Sequence, residues 1–549
     1  MKSRYNILNI STLYLVLGTW FLFYELDGGS QKRKTSSLVV GESYRIYPST
    51  FVQTEPQVTK HPLNQNILFV SANTFNPNSG FQSEGVYTTT NGGSEWFGSD
   101  TCKGFLTTDH RGNPGIAIDK TGKFLISRLG VSPGLYSHYS TNNGLNWSSF
   151  KTISTEDLYK ATLTSDGGSS SNYFGRTYAV WTLLSAQPFP TVFAYTDDGG
   201  VNWSSPTQIN NPATGKIGNG GEADIMTNGT IGVCWARAMN RSPFTADFVG
   251  FASSTNGGTS WTVNESAFDV NGINGYIADK ANLRVKDLPH IAIDKSGLSR
   301  NNWIYIITAQ KGLAPSGNDP DIILNRSSDS GKIWSAGIRV NQDALNNGKY
   351  QYFPAIHVDN GGGVNVLYYD DRNTTSDSVG VFLSRSIDGG TTWKDFQISE
   401  HNFKPSQIPG MVVGYQGDNI CLTSVGNILH AFWMDNSTGV YQIWSTQIEL
   451  STLGIDESKT VPSTTELFQN YPNPFNPSTN FGFRIANFGL ITLKVYNLLG
   501  KEVATLINEK KAAGKYSVQW NAGGLPSGVY FYKLSSKDGV KVKKMLYLR

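Results

Sequence analysis

The 549 residues carry 45 Lys and Arg against 42 Asp and Glu, a formal charge of +3, with 58 Gly, 13 Trp, 26 Tyr and 3 Cys. So even a balance, with no long basic run before the tail, argues against a nucleic-acid partner, and three cysteines (Cys102, Cys234, Cys421) exclude a disulfide framework. A chain of this length is one domain only if it is repetitive, and glycine above the ~7% average usage calls for many tight turns.

Lys2 and Arg4 precede a mostly apolar stretch over 7–24, which stops before Asp27-Gly28-Gly29-Ser30. This predicts a secretory signal peptide over 1–29, or an N-terminal anchor, since no clean small-x-small cleavage site follows. Either way the body of the protein is exported. No later apolar run is long enough to span a bilayer.

From residue 89 onward one pattern recurs, [Ser/Thr]-x-[Asp/Asn]-x-Gly-x-x-Trp. It occupies Thr89–Trp96, Ser140–Trp147, Thr196–Trp203, Ser254–Trp261, Ser327–Trp334 and Ser386–Trp393, with Trp-to-Trp steps of 51, 56, 58, 73 and 59 residues. Asp or Asn caps its own backbone and Gly supplies a positive φ, so each copy is a β-hairpin turn. The Trp opens the next strand and buries its indole between neighbouring sheets. A period of this length is that of a propeller blade. The intervening segments alternate with period two and are rich in β-branched residues, as in Pro114–Asp119, Ile304–Thr308, Pro354–Asp359 and Val364–Tyr369. No amphipathic helix is predicted.

Six units carry the pattern. A seventh, over Asp418–Thr423, Asn427–Trp433 and Tyr441–Gln447, does not. Its fourth strand is expected from the N-terminal segment near Ser43–Tyr47, which would close the ring between chain ends. The expected fold is therefore all-β: a seven-bladed propeller over 38–450, with six blades as the alternative. A Ser/Thr-rich linker over 451–466 follows. The last segment, 467–549, opens with Tyr471-Pro-Asn-Pro-Phe-Asn-Pro477, where proline forbids a helix. Strands are predicted over 492–496, 516–520, 529–534 and 540–548, giving a small β-sandwich.

Two resemblances follow. The repeated turn resembles the Asp-box, or bacterial neuraminidase repeat, of sialidases and other secreted glycan-active propellers. In that family the box lies on an outer hairpin, so it reports the fold and reaches function only by association. The C-terminal segment resembles the type A sorting domain of the type IX secretion system, through Tyr471–Pro477, Val495-Tyr-Asn-Leu-Leu-Gly-Lys-Glu-Val503, Gly528-Val-Tyr-Phe-Tyr-Lys-Leu534 and the basic end Lys541 to Arg549. It implies a Bacteroidetes-type host, engagement of the type IX machinery through 467–549, and delivery to the outer-membrane surface or the medium.

The sialidase resemblance implies a chemistry. An arginine cluster would grip the substrate carboxylate bidentately, and a Tyr nucleophile, weak at its ordinary pKa near 10, would pass its proton to a Glu. Tyr44-Arg45-Ile46-Tyr47-Pro48 is similar to the family's aromatic-Arg-Ile-Pro motif, with one extra residue. Gly220 to Arg237 is similar to its Glu strand, turn and Arg-ending strand, and Gly414-Tyr415 to the strand bearing the nucleophile. The implied set is Arg45, Arg237 and Arg372 for the carboxylate, Tyr415 as nucleophile, Glu222 as its base and Asp109 as the acid. Each has an alternative: Arg45 flanking a closing strand, Glu222 and Arg237 facing solvent, Tyr415 packed in a core, Arg372 paired with Asp370 or Asp371. Sialidases have six blades, so a seventh departs from that pattern.

The seven histidines lack metal-ligand spacing, and no cofactor is expected beyond a possible calcium at Asp319-Pro-Asp321. Three function classes remain: an exo-α-sialidase-like glycoside hydrolase, a non-catalytic propeller that binds glycan or protein, and another hydrolase with paired carboxylates such as Asp224 and Asp370. The partner is a glycan substrate or ligand, and the chain is expected to be monomeric.

Overall fold

The structure is a computed structural model and describes residues 33–34, 38–102, 110–277, 280, 282–374, 377–450, 465–485, 489–511 and 514–548. The expected leader over 1–29, residues 451–464 of the linker and Asp109 lie outside these residues. The described residues hold no α-helix.

Seven antiparallel sheets of four-stranded plan follow one another among the described residues. Their innermost strands are Val52–Lys60, Gly115–Ile118, Leu158–Ser165, Lys216–Ile225, His290–Ile293, Gln351–Val358 and Cys421–Val425, which we number blades 1 to 7. Each innermost strand touches the next, and that of blade 7 touches that of blade 1, so the ring is closed. The expected seventh blade is present. Its outer edge is supplied by Leu38–Val40 and Tyr44–Arg45, both paired with Gln442–Leu450. Leu38, Val40 and Ile46 are buried there.

The six repeated turns share one hydrogen-bond set. The Ser or Thr oxygen accepts the glycine N–H at 2.7–3.0 Å. The Asx oxygen accepts the N–H of the residue before the Trp at 2.9–3.0 Å. The glycines sit at φ between 82° and 92°, where a side chain would be strained. The Trp packs on the preceding blade: Trp147 on Phe69 at 5.6 Å, Trp261 on Phe193 at 5.1 Å and Trp334 on Phe251 at 5.2 Å. Trp96 meets Phe432 of blade 7 at 5.7 Å, so the same contact seals the ring.

Four innermost strands carry a bulge. The register shifts between Thr54 and Gln57, Tyr159 and Thr162, Asn219 and Glu222, and Tyr352 and Ala355. At these points Glu55, Lys160, Gly220 and Phe353 adopt φ of 55°, 42°, 66° and 49°. Bulges re-aim side chains next to functional sites, and positive φ at three non-glycine residues is strain held by the surrounding fold.

The C-terminal unit is a sandwich. Glu466–Leu467, Ser478–Ile485 and Gly514–Asn521 form one sheet, and Glu502–Lys511, Gly489–Asn497, Gly528–Ser536 and Gly539–Tyr547 the other. Phe481, Phe483 and Trp520 of the first bury against Leu493, Val495 and Tyr532 of the second. The strands Ser478–Ile485 and Glu502–Lys511 were not expected. The first follows directly on the proline run, and the second is too charged to show alternation.

Candidate functional site

The innermost strands all begin on one face of the ring, and a mouth of ≈ 480 Å³ opens there. The repeated turns, which end the third strand of each blade, lie on the opposite face. The bulge at Glu55 turns its carboxylate into the mouth, where the Tyr415 hydroxyl donates to Glu55 Oε1 at 2.7 Å. Asn73 Nδ2 donates to the same phenol oxygen at 3.3 Å. Both Glu55 and Tyr415 are buried.

Cations and one further acid surround this pair. The Arg284 guanidinium lies over the Tyr415 ring, 4.9 Å from its centroid. Its Nη2 donates to both oxygens of Asp418 at 2.9 and 2.8 Å, while its buried Nε has no partner. Arg111 lines the rim with an exposed side chain. Lys160, aimed inward by its own bulge, donates to Asn419 Oδ1 at 3.3 Å.

Burial, then the charge of Asp418, pushes the Glu55 carboxyl up to about 7, against the opposing pulls of Lys160, the Tyr415 hydroxyl and Arg284. Burial, then the Glu55 and Asp418 charges, holds the Tyr415 phenol well above its ordinary value. The site therefore contains a neutral phenol hydrogen-bonded to a carboxyl group poised near neutrality.

The residues singled out from sequence fall in different places. Tyr415 is in the mouth. Glu222 is not beside it: it lies deeper in the central channel, with His290 Nδ1 at 2.8 Å from its carboxylate. Its strand bulges before it, which sets it on the channel wall rather than at the rim. Arg45 lies on the outer edge of blade 7, opposite Trp444. Arg237 pairs with Asp247 at 3.2 Å and lies on the Phe248 ring. Arg372 is held by Asp370 and Asp395, both at 2.6 Å, with Asp343 at 3.6 Å. These three arginines do not meet: they lie on separate blades, Arg237 and Arg372 held by the carboxylates beside them and Arg45 on an outer-edge strand. Asp224 is bound by Lys295 at 2.5 Å and Asp370 by Arg372, so they form no facing acid pair. The Asp321 carboxylate accepts from Arg339, Asn341 and the Gly317 N–H, all at 2.7 Å, which leaves it unsuited to calcium. Among the described residues no group of three or more His, Cys, Asp or Glu is placed to hold a metal.

Glu55, Arg284, Asp418 and Arg111 were missed. Two signals for them existed. Pro56 follows Glu55 inside a strand, and proline there marks a bulge. The 73-residue step between Trp261 and Trp334 is the longest, and it contains an extra hairpin, Gly275–Ile277 with Leu283–Val285, that carries Arg284.

Residues 469–547 match the family model described as the secretion system C-terminal sorting domain. The protein is accordingly exported by type IX secretion to the cell surface or the medium. A search of curated proteins finds no match. Among solved structures the chain is similar to a protein of unknown function from Dyadobacter fermentans, at 13% identity over 76% of this chain and 100% of that one, TM-score 0.40. It is also similar to a Penicillium chrysogenum α-L-arabinanase complexed with arabinobiose, at 12% over 75% and 99%, TM-score 0.41. A third similarity is to the intramolecular trans-sialidase from Ruminococcus gnavus, at 11% over 73% and 95%, TM-score 0.36.

Proposed function

We propose that this exported propeller, which carries a secretion sorting domain at its C-terminal end, is a glycoside hydrolase acting on an acidic glycan, with Tyr415 as nucleophile. The 2.7 Å contact between the Tyr415 hydroxyl and Glu55 carries the reading. A free phenolate is disfavoured here, so the proton must leave as the bond to sugar forms. Glu55, poised near 7, is matched to accept it. In the first step the Tyr415 oxygen bonds to the anomeric carbon, its proton passes to Glu55, and the glycosidic oxygen departs with a proton from a general acid. Asp109, two residues before the rim residue Arg111 in sequence, stays our proposal for that acid. Water then attacks the anomeric carbon and gives its proton to the carboxylate that had served as general acid, while the bond to Tyr415 breaks and the proton returns to its oxygen from Glu55.

Arg111 and the unpartnered Nε of Arg284 supply the positive field for a substrate carboxylate. Glu55 takes the role that the sequence resemblance implied for Glu222. The three-arginine arrangement implied for Arg45, Arg237 and Arg372 is replaced by two cations, one of them already paired with Asp418. That pairing favours a second reading, a mouth that binds an acidic glycan without cleaving it.

The test is hydrolysis of a fluorogenic sialoside and a fluorogenic glucuronide by the full chain beside Tyr415→Phe and Glu55→Gln. Turnover in the parent, lost in both variants, supports the nucleophile and its base. Absence of turnover on either substrate, with saturable binding of the intact sugars, selects the binding reading.

A further inference from the structure

The central channel has a second mouth, and its chemistry differs. Where the innermost strands end, on the face of the repeated turns, a cavity of ≈ 630 Å³ opens, within the range of small-molecule sites. Its wall bears Lys60, Lys120 and Lys295, with the hydroxyls of Thr162, Ser165 and Ser170.

The acids near this wall are already engaged. Asp166 accepts from the Ser171 hydroxyl at 2.5 Å and the Gly168 N–H at 2.9 Å. Glu222 is held by His290 and Asp224 by Lys295. The remaining lysines have no carboxylate partner among the described residues. Lys60 Nζ donates to the Ser424 carbonyl at 3.0 Å, and Lys120 Nζ to the Phe174 carbonyl at 3.0 Å. The Lys60 ammonium, drawn into the channel wall without a paired carboxylate, is costly to keep there, and both lysines have donors to spare.

Two partly buried groups feel the lysines of this wall. Burial, then Lys295, lowers the Lys60 ammonium, with Asp359 pulling the other way. Burial, then Lys60, pushes His357 down to about 3; Asp359 opposes this, and Lys295 and Arg385 add to it.

We infer that this second mouth is a binding site for a hydroxylated oxyanion, a sulfated or carboxylated sugar, its anionic group held by Lys60 and Lys120, while the Thr162 and Ser170 oxygens, which donate to the Gly221 and Thr227 carbonyls, accept from its hydroxyls. It is separate from the Tyr415 mouth and does not depend on what that mouth does.

The experiment is calorimetric titration of the full chain with galactose 6-sulfate, glucuronate and inorganic sulfate, repeated at raised salt. Saturable binding of at least one sugar is expected, tighter than inorganic sulfate and weakened by salt. It should persist in Tyr415→Phe and fall about tenfold or more in Lys60→Gln, the loss of one charge-assisted contact. Because Lys60 lies in an innermost strand, Lys120→Gln, at an exposed position, gives the independent check and should also weaken binding. No saturable binding, or unchanged binding in natively folded lysine variants, overturns the site. Loss of binding in Tyr415→Phe would place the sugar in the other mouth, and equal affinity for inorganic sulfate would overturn the sugar.

Discussion

At Glu55 one carboxyl group bears on stability and, in the proposed reaction, on chemistry. Its folded pKa is raised from 4.5 to about 7, so the folded state holds the proton more tightly than the unfolded chain. Its contribution to stability is therefore full below pH ~4.5 and declines as pH rises toward ~7. At one pKa unit per ~1.4 kcal/mol, the loss approaches about 3 kcal/mol. Denaturant titrations at pH 5 and pH 8 should show the parent losing stability over this window and Glu55→Gln holding level. The chemistry runs the other way, since proton acceptance needs the ionised form. The kcat/KM profile should rise through an apparent pKa near 7, and Glu55→Gln should lower kcat by about 10²- to 10⁴-fold. Arg284→Met removes a charge that pulls Glu55 down, so the acid limb of the profile should move upward.

Among the elements, the turns and the bulges divide the labour. The repeated turns are structural, and one substitution should act locally. The Asp388 carboxylate accepts two backbone N–H groups at 3.0 and 2.9 Å and the Thr392 hydroxyl at 2.7 Å. Asp388→Ala should cost about 1–2 kcal/mol of stability and leave sugar affinity at the Tyr415 mouth unchanged, as urea melts and titrations would show. The bulges act on the other face. They break the period-two alternation at the rim, so that Glu55 and Lys160 turn inward where a regular strand would alternate. The extra hairpin does the same for Arg284, which is fixed by a 2.8 Å backbone bond from its N–H to the Gly414 carbonyl.

For the whole molecule, the ring is held where its two ends meet. Leu38 and Val40 are 2% and 1% exposed between blade 7 and its neighbours. Leu38→Asp should bury an unpaired charge and destabilise the propeller by about 3 kcal/mol or more, lowering the melting temperature of the whole ring at once. The C-terminal sandwich has its own core, made only of residues from 467 onward. Removing 467–549 should abolish delivery to the surface or medium while leaving propeller melting unchanged, as fractionation and calorimetry would show.

The sequence by itself determined the repeat, the turns, the seven units and the sorting domain. All of these rest on local chemistry: a glycine that must reach positive φ, an Asx that caps its own turn, an indole one strand later. Tyr415, which lies in the mouth, was also named, from the stretch that precedes the last blade. Its partner was not. Glu222 fitted a linear motif, but Glu55 lies 360 residues from Tyr415 and reaches it only because the ring closes. Arg45, Arg237 and Arg372 were named from local pattern, and the fold set them on separate blades. Arg284 and Asp418 were joined instead, across 134 residues. Strand identity follows from side chains near in sequence, whereas a site on the axis of a closed ring is assembled from one end of each blade, and only closure decides which ends face one another.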